Sequence, residues 1–161
     1  MSFPLSISGS FTIARSATEP ATPATVAAHA QAALAARSDD VRLDGQSVTA
    51  PSRYKGWFAT PYLDAHPLAP FEVVRLEITD TPDGIGVTYD LGTRKILLYG
   101  LLIGLFFACQ MGWFAYTPDD PAFAARIAMI YGLFGFVGIF GLNYVIGLIR
   151  APAWLKRELG Q

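Results

Sequence analysis

The sequence is poor in residues that bind metals or form covalent bonds. Its 161 residues include one cysteine, Cys109, and two histidines, His29 and His66. One cysteine cannot form an intramolecular disulfide, and the histidines have no partners at metal-binding spacing. A Gly-rich phosphate-binding loop and a GxSxG nucleophile motif are also missing from the sequence. We therefore expect no cofactor, no metal and no catalytic activity.

Charge is scarce in one part of the chain and ordinary in the rest. Residues 1–93 carry six Lys or Arg and ten Asp or Glu, whereas residues 96–116 and 127–149 carry none. The net charge of -1, with scattered basic residues, predicts no nucleic-acid partner. This division predicts a domain over 1–93 and a transmembrane hairpin over 94–161 that ends in a short tail.

The two uncharged runs are long enough to cross a lipid bilayer. They contain 21 and 23 residues, and about 20 helical residues cross a hydrocarbon core of roughly 30 Å. The alternative is a pair of buried helices in a soluble core. So short a chain has too little other material to cover two such helices, so the lipid bilayer is the expected partner.

The charges that flank the two runs predict their orientation. Arg94 and Lys95 precede the first run and Arg150 follows the second, whereas the loop between them contains Asp119 and Asp120. The positive-inside rule then places both termini in the cytoplasm. The N-terminus lacks the basic region and continuous apolar stretch of a cleavable signal peptide. Nine Arg against three Lys, with abundant Ala, are typical of GC-rich bacterial genomes, so we expect the membrane to be a bacterial inner membrane.

Aromatic residues flank the predicted spans at both ends. Trp113 and Tyr116 lie at the outer edge, and Tyr99 and Trp154 lie towards the cytoplasmic edge. Trp and Tyr are enriched at the interfaces between a bilayer and water. We expect these four side chains, with the flanking basic residues, to anchor the hairpin.

Small residues recur at regular spacing in both spans. The first span repeats one every fourth position, at Gly100, Gly104, Ala108 and Gly112, whereas the second has a period of three, at Gly132, Gly135, Gly138 and Gly141. Small residues allow two helices to approach closely. Either these residues only pack the hairpin, or some of them also receive a second copy or another membrane protein.

Two strongly polar side chains lie within the spans. They are Gln110 and Asn143. A permeation pathway normally contains ionisable groups or a polar stripe, and neither span has one. We expect Asn143 to form a hydrogen bond between helices.

Residues 1–93 predict an α+β fold, a small antiparallel sheet with one helix. Alternation of apolar and polar residues predicts strands over 3–14, 71–79 and 85–91, and Asp44-Gly45 predicts a hairpin turn between two shorter strands. Thr22-Pro23 is typical of the start of a helix, which we expect to run to Arg37.

The regular pattern is interrupted over residues 51–70. This segment has four prolines and the aromatic residues Tyr54, Trp57, Phe58 and Tyr62. Such a segment covers the sheet, contacts lipid headgroups, or forms a surface for a partner or ligand.

The leading functional hypothesis is a non-catalytic accessory or assembly protein of the membrane. Its hairpin and its N-terminal domain would both mediate protein–protein interaction. One alternative is a homo-oligomeric pore or holin-like protein, because small glycine-rich hairpins can assemble into rings. Another is a membrane-anchored sensor that binds a small ligand at Trp57 and Tyr62.

Overall fold

The computed structural model describes residues 6–14, 21–36, 38, 40–51, 67–68 and 71–160. Contacts group the chain into two compact units. One consists of Met1–Arg94 together with Gly147–Gln161, and the other is Lys95–Ile146. The domain boundaries predicted from the sequence, 1–93 and 94–161, stay a prediction. The sequence did not lead us to expect that Gly147–Gln161 would group with the N-terminal residues.

The N-terminal unit contains a five-stranded antiparallel sheet. Its strands are β1 (Ser6–Ile13), β2 (Arg42–Asp44), β3 (Ser47–Pro51), β4 (Val73–Thr81) and β5 (Gly84–Gly92). Their order across the sheet is β1-β5-β4-β3-β2. Two tight turns connect neighbouring strands, and Gly45 in the first of them has a φ of 60°, a conformation that favours glycine. The predicted α+β fold with an antiparallel sheet is confirmed.

One face of the sheet forms the core of this unit. The side chains that alternate onto it are buried, including Val48, Leu76, Ile78 and Val87. Helix α1 (Pro23–Ala35) packs against β2, β3 and β4, and its buried residues are Val26, Ala27, Ala30 and Leu34. The other face carries exposed polar residues, which is the pattern of an antiparallel sheet covered on one side only.

The start of α1 agrees with the predicted cap. The Thr22 hydroxyl accepts a hydrogen bond from the amide of Thr25 at 3.2 Å, and the Thr22 amide donates to the Thr25 hydroxyl at 2.9 Å. Pro23 occupies the first turn, where a missing N–H costs nothing. The helix ends at Ala35, two residues before the predicted end.

The remaining helices are longer and more apolar. Helix α2 covers Arg94–Ala115, α3 covers Pro121–Phe136, a π-helical segment covers Val137–Gly141, and α4 covers Leu142–Leu159. The Asp120 carboxylate accepts a hydrogen bond from the amide of Phe123 at 3.0 Å and caps α3. Two helices in the described residues are long and apolar enough to cross a membrane, Arg94–Ala115 and the continuous Pro121–Leu159.

The last helix does not end with the apolar run at Ile149. It continues past Pro152 to Leu159. Gly147, Ala151, Leu155 and Leu159, spaced four residues apart on one face, are buried. This end of α4 belongs to the same unit as the sheet. A Cβ atom at Gly147 would lie 2.5 Å from Cζ of the buried Phe71, so glycine allows the Phe71 ring to contact the helix backbone.

We expect Gly147→Ala to destabilise the N-terminal unit. The new methyl group would collide with Phe71, and overpacking of this kind costs about 1 to 3 kcal/mol. The measurement is the thermal unfolding of the full chain in detergent, followed by near-UV circular dichroism.

Gly138→Ala is the matched control. A Cβ atom at Gly138 would meet nothing within 4 Å. Both substitutions gain the helix propensity of alanine, so their difference isolates the collision. Equal melting temperatures for the two variants would contradict the close contact between Gly147 and Phe71.

Candidate interaction surfaces

Helices α2 and α3 approach each other through glycine. A Cβ atom at Gly104 would lie 2.7 Å from the carbonyl oxygen of Gly132 and 3.0 Å from Cβ of Phe136. From the other side, a Cβ atom at Gly132 would lie 2.9 Å from Cβ of Ala108. At Gly112 it would lie 3.0 Å from Cβ of Ala128. The small residues of α2 thus face α3, and the surface between the two helices is named the glycine seam.

Aromatic rings fill the space that the glycines leave open. The rings of Phe136 and Phe140 stack with centroids 5.4 Å apart, and Tyr144 continues the row at 5.6 Å from Phe140. A Cβ atom at Gly100 would lie 2.9 Å from Cβ of Phe140. On the other side of the seam, Phe107 occupies the space above Gly135, where a Cβ atom would lie 2.9 Å from its ring. The hairpin therefore interlocks large side chains with glycines from both helices.

The period of three carries the other two glycines of this repeat, Gly138 and Gly141, away from the seam. A Cβ atom at Gly138 would meet nothing within 4 Å, and one at Gly141 would meet only Val137 of the same π-helical segment, at 3.9 Å. Gly138 is exposed. These two positions have room for larger side chains, whereas Gly132 and Gly135 do not.

The two polar side chains of the spans have different surroundings. Asn143 is buried, and its amide donates to the carbonyl oxygen of Ile139 at 2.7 Å. This bond joins the start of α4 to the π-helical segment of the same continuous helix, whereas the sequence led us to expect a bond between helices. Gln110 is exposed on α2.

The outer surface of the two long helices is a belt of exposed apolar side chains. Trp113 is 81% exposed and Phe134 is 78% exposed. The apolar belt is formed by these two and by further large side chains that include Leu98, Leu101, Leu105, Phe106, Ile130, Leu133, Val137 and Ile149. Water does not solvate such side chains favourably, and large apolar side chains exposed in this number are typical of a lipid or protein contact.

The predicted interface residues lie at the ends of the helices. Tyr99 is half-buried one turn into α2, and Nζ of Lys95 lies 5.9 Å from the centre of its ring. Trp113 and the exposed Tyr116 lie at the opposite end of α2. Arg94 and Arg150 are exposed, and Trp154 is half-buried on the last two turns of α4. Sequence reasoning missed the buried stripe on this helix end, although its four-residue spacing was a readable signal.

The sheet has a second surface that no described residue covers. Its exposed side chains are small or charged and include Ser8, Ser10, Thr12, Arg75, Glu77, Thr79 and Thr88. In the register of the strands, Ser10 lies beside Thr88 and Thr88 beside Glu77. This arrangement offers hydroxyl groups and few charges, which is the chemistry of a solvated face or of a polar protein contact.

The aromatic residues Tyr54, Trp57, Phe58 and Tyr62 lie outside the described residues.

Within the described ranges, no group of three or more His, Cys, Asp or Glu side chains comes close enough to hold a metal ion. Open apolar grooves lie beside Gly104 and beside Gly112 and Cys109. The expected absence of a cofactor, metal or catalytic site stays a prediction.

Comparisons of the chain with protein families, with curated proteins and with solved structures find no match. The glycine seam, the apolar belt and the sheet surfaces are therefore the features from which a function can be inferred.

We expect Gly104→Leu to weaken the hairpin. A leucine side chain at this position would collide with the backbone of Gly132, so the helices must separate and lose contacts worth about 1 to 3 kcal/mol. Leucine is at least as favourable as glycine in a membrane, so membrane localisation should persist. The measurement is thermal unfolding in detergent.

Gly138→Leu introduces the same side chain at an open position. Leu102→Ile adds a conservative change on the exposed side of α2. Both should melt close to the parent protein. If Gly104→Leu also melts like the parent, the glycine seam does not hold the two helices together.

Proposed function

We propose that the chain is a non-catalytic integral membrane protein of a bacterial inner membrane that acts in accessory or assembly roles. Its sheet domain and its glycine-rich hairpin make contacts with proteins. The observation that carries this proposal is the apolar belt, because large apolar side chains on two long helices are exposed rather than packed inside the chain.

The geometry of the hairpin supports a division of roles between its surfaces. The glycine seam is occupied by the partner helix of the same chain. Contacts with other membrane proteins therefore use the outer surface, where Gly138 provides a small residue among larger ones and Gln110 provides an amide. Interhelical hydrogen bonds of such amides contribute about 0.6 kcal/mol on average, a modest addition to packing.

A pore receives less support from the same surfaces. A water-filled channel needs a polar or charged stripe along the helices. Among the large exposed side chains of the described helices between Ile96 and Ile149, apolar ones predominate, and the seam is closed by aromatic rings. The proposed accessory role requires no such stripe.

Membrane integration and partner binding can be tested on the full chain at native abundance. We expect the protein to stay in the membrane pellet after alkaline carbonate treatment, because its apolar belt lies in lipid. After gentle solubilisation, we expect a size larger than one chain or a co-purifying membrane protein. Release by carbonate, or a strictly monomeric protein without any partner, would contradict the proposal.

The proposed orientation has a separate test. Arg94, Lys95 and Arg150 flank the apolar helices on one side, so both termini should lie in the cytoplasm. A fluorescent reporter that matures only in the cytoplasm should be active when fused to either end, and a phosphatase active only in the periplasm should be inactive at both. A phosphatase that is active after Gln161 but inactive before Met1 would overturn the count of two crossings, and one that is active at both ends would overturn the orientation.

A further inference from the structure

The two edges of the sheet differ in how well they prevent pairing with another strand. The edge strand β2 has three residues, two of which, Arg42 and Asp44, are charged. Short length and charge are common means by which natural sheets block edge pairing. The other edge strand, β1, has eight residues of sequence SISGSFTI, with neither a charge nor a proline.

The hydrogen bonds of the sheet show which residues of β1 point their backbone groups outward. The amide of Ile78 donates to the carbonyl of Gln46, across β4 and β3. In an antiparallel sheet, successive residues of a strand bond alternately to its two neighbours. The same alternation can be followed from β4 to β5 and from β5 to β1 through the paired residues of these strands. It directs the amides and carbonyls of Ser8, Ser10 and Thr12 away from β5. These outward groups have no hydrogen-bond partner among the described residues.

We propose that β1 pairs with β1 of a second copy of this chain. The pairing is antiparallel, about a two-fold axis through Ser10, and joins the two sheets edge to edge. The resulting pairs are Ile7 with Ile13 and Gly9 with Phe11 on the apolar face, and Ser8 with Thr12 and Ser10 with Ser10 on the polar face.

The sequence of β1 is complementary to itself in this register. Each apolar residue meets an apolar residue or glycine, each hydroxyl meets a hydroxyl, and no charges oppose each other. Phe11 and Ile13 are half-buried in the single chain, so a second strand would cover their remaining exposed surface.

This inference rests on the proposed function and names the partner of the sheet domain. Two copies anchored in the same membrane meet at a higher effective concentration than two soluble domains. A backbone edge without charge then needs only modest affinity to pair. A strand from a different protein could bond to the same backbone groups. Its side chains would not have to match the apolar and polar alternation of β1, whereas those of a second copy do.

Disulfide cross-linking of the full chain in membranes tests the pairing. In a Cys109→Ala background, Ser10→Cys places one thiol on each side of the two-fold axis, with Cα atoms about 5.5 Å apart in a hydrogen-bonded pair. This separation lies within the range of disulfides. We expect mild oxidation to convert Ser10→Cys to a covalent dimer.

Thr88→Cys in the same background is the matched control. Thr88 lies beside Ser10 on the polar face, one strand further into the sheet. Its copies would be three strand spacings apart, about 14 Å, beyond the reach of a disulfide. Absence of a Ser10→Cys dimer, or equal cross-linking of the two variants, would overturn the proposed pairing.

A second pair of variants tests the same edge without cross-linking. Ser10→Lys places like charges opposite each other on the axis and should weaken dimerisation in detergent by about fivefold. Thr88→Lys adds the same charge on the same face and should leave the dimer intact. A Ser10→Lys protein with the parental dimer affinity would overturn the inference.

The outcomes separate this inference from the proposed function. A chain that stays in the membrane and co-purifies with a different protein but does not self-associate, or one that dimerises without β1, contradicts the pairing alone. A Ser10→Cys dimer that carbonate releases from the membrane supports the pairing and contradicts the proposed membrane role.

Discussion

The packing of the hairpin depends on the approach of two glycine backbones, at Gly104 of α2 and Gly132 of α3. A side chain on either residue would occupy space that the facing helix already fills. Because the backbones come so close, the rings of Phe136 and Phe140 fit against Gly100 and Gly104 and add dispersion contacts. The seam thus consists of small residues, the row of rings that includes Phe136 and Phe140, and the ring of Phe107 from α2, and most of the other large apolar side chains are directed outward.

Much of this organisation could be predicted from the sequence. Alternation along β4 and β5, the Thr22-Pro23 start of α1 and the turn at Gly45 are local signals, and local signals agree with the final fold here. The four-residue repeat of small residues on α2 likewise indicated a groove. In the second span a period of three turns by about 60° at each step, so spacing alone could not show that Gly135 faces α2 and Gly138 does not.

The features that sequence reasoning missed depend on contacts between distant residues. Arg150 and Pro152 are ordinary signs that an apolar helix is ending, yet α4 continues because Gly147, Ala151 and Leu155 are buried within the sheet unit. Phe71 contacts Gly147 although the two residues are far apart in sequence. The position of β1 at an edge of the sheet could also not be identified before the strand order was known, since an uncharged strand is equally compatible with the middle of a sheet.

The π-helical segment Val137–Gly141 has a consequence for chain length. A π turn holds more residues than the α turn it replaces, while the helix on either side continues. Deletion of one residue from this segment could restore a regular α turn. The residues before and after the segment would then stay on the same faces of the helix. The same loss between Leu142 and Ile146 would rotate the rest of α4 by about 100° and bring Lys156 to the position of Leu155. Single-residue length changes in related chains should therefore concentrate in the π-helical segment, where the helix can absorb them.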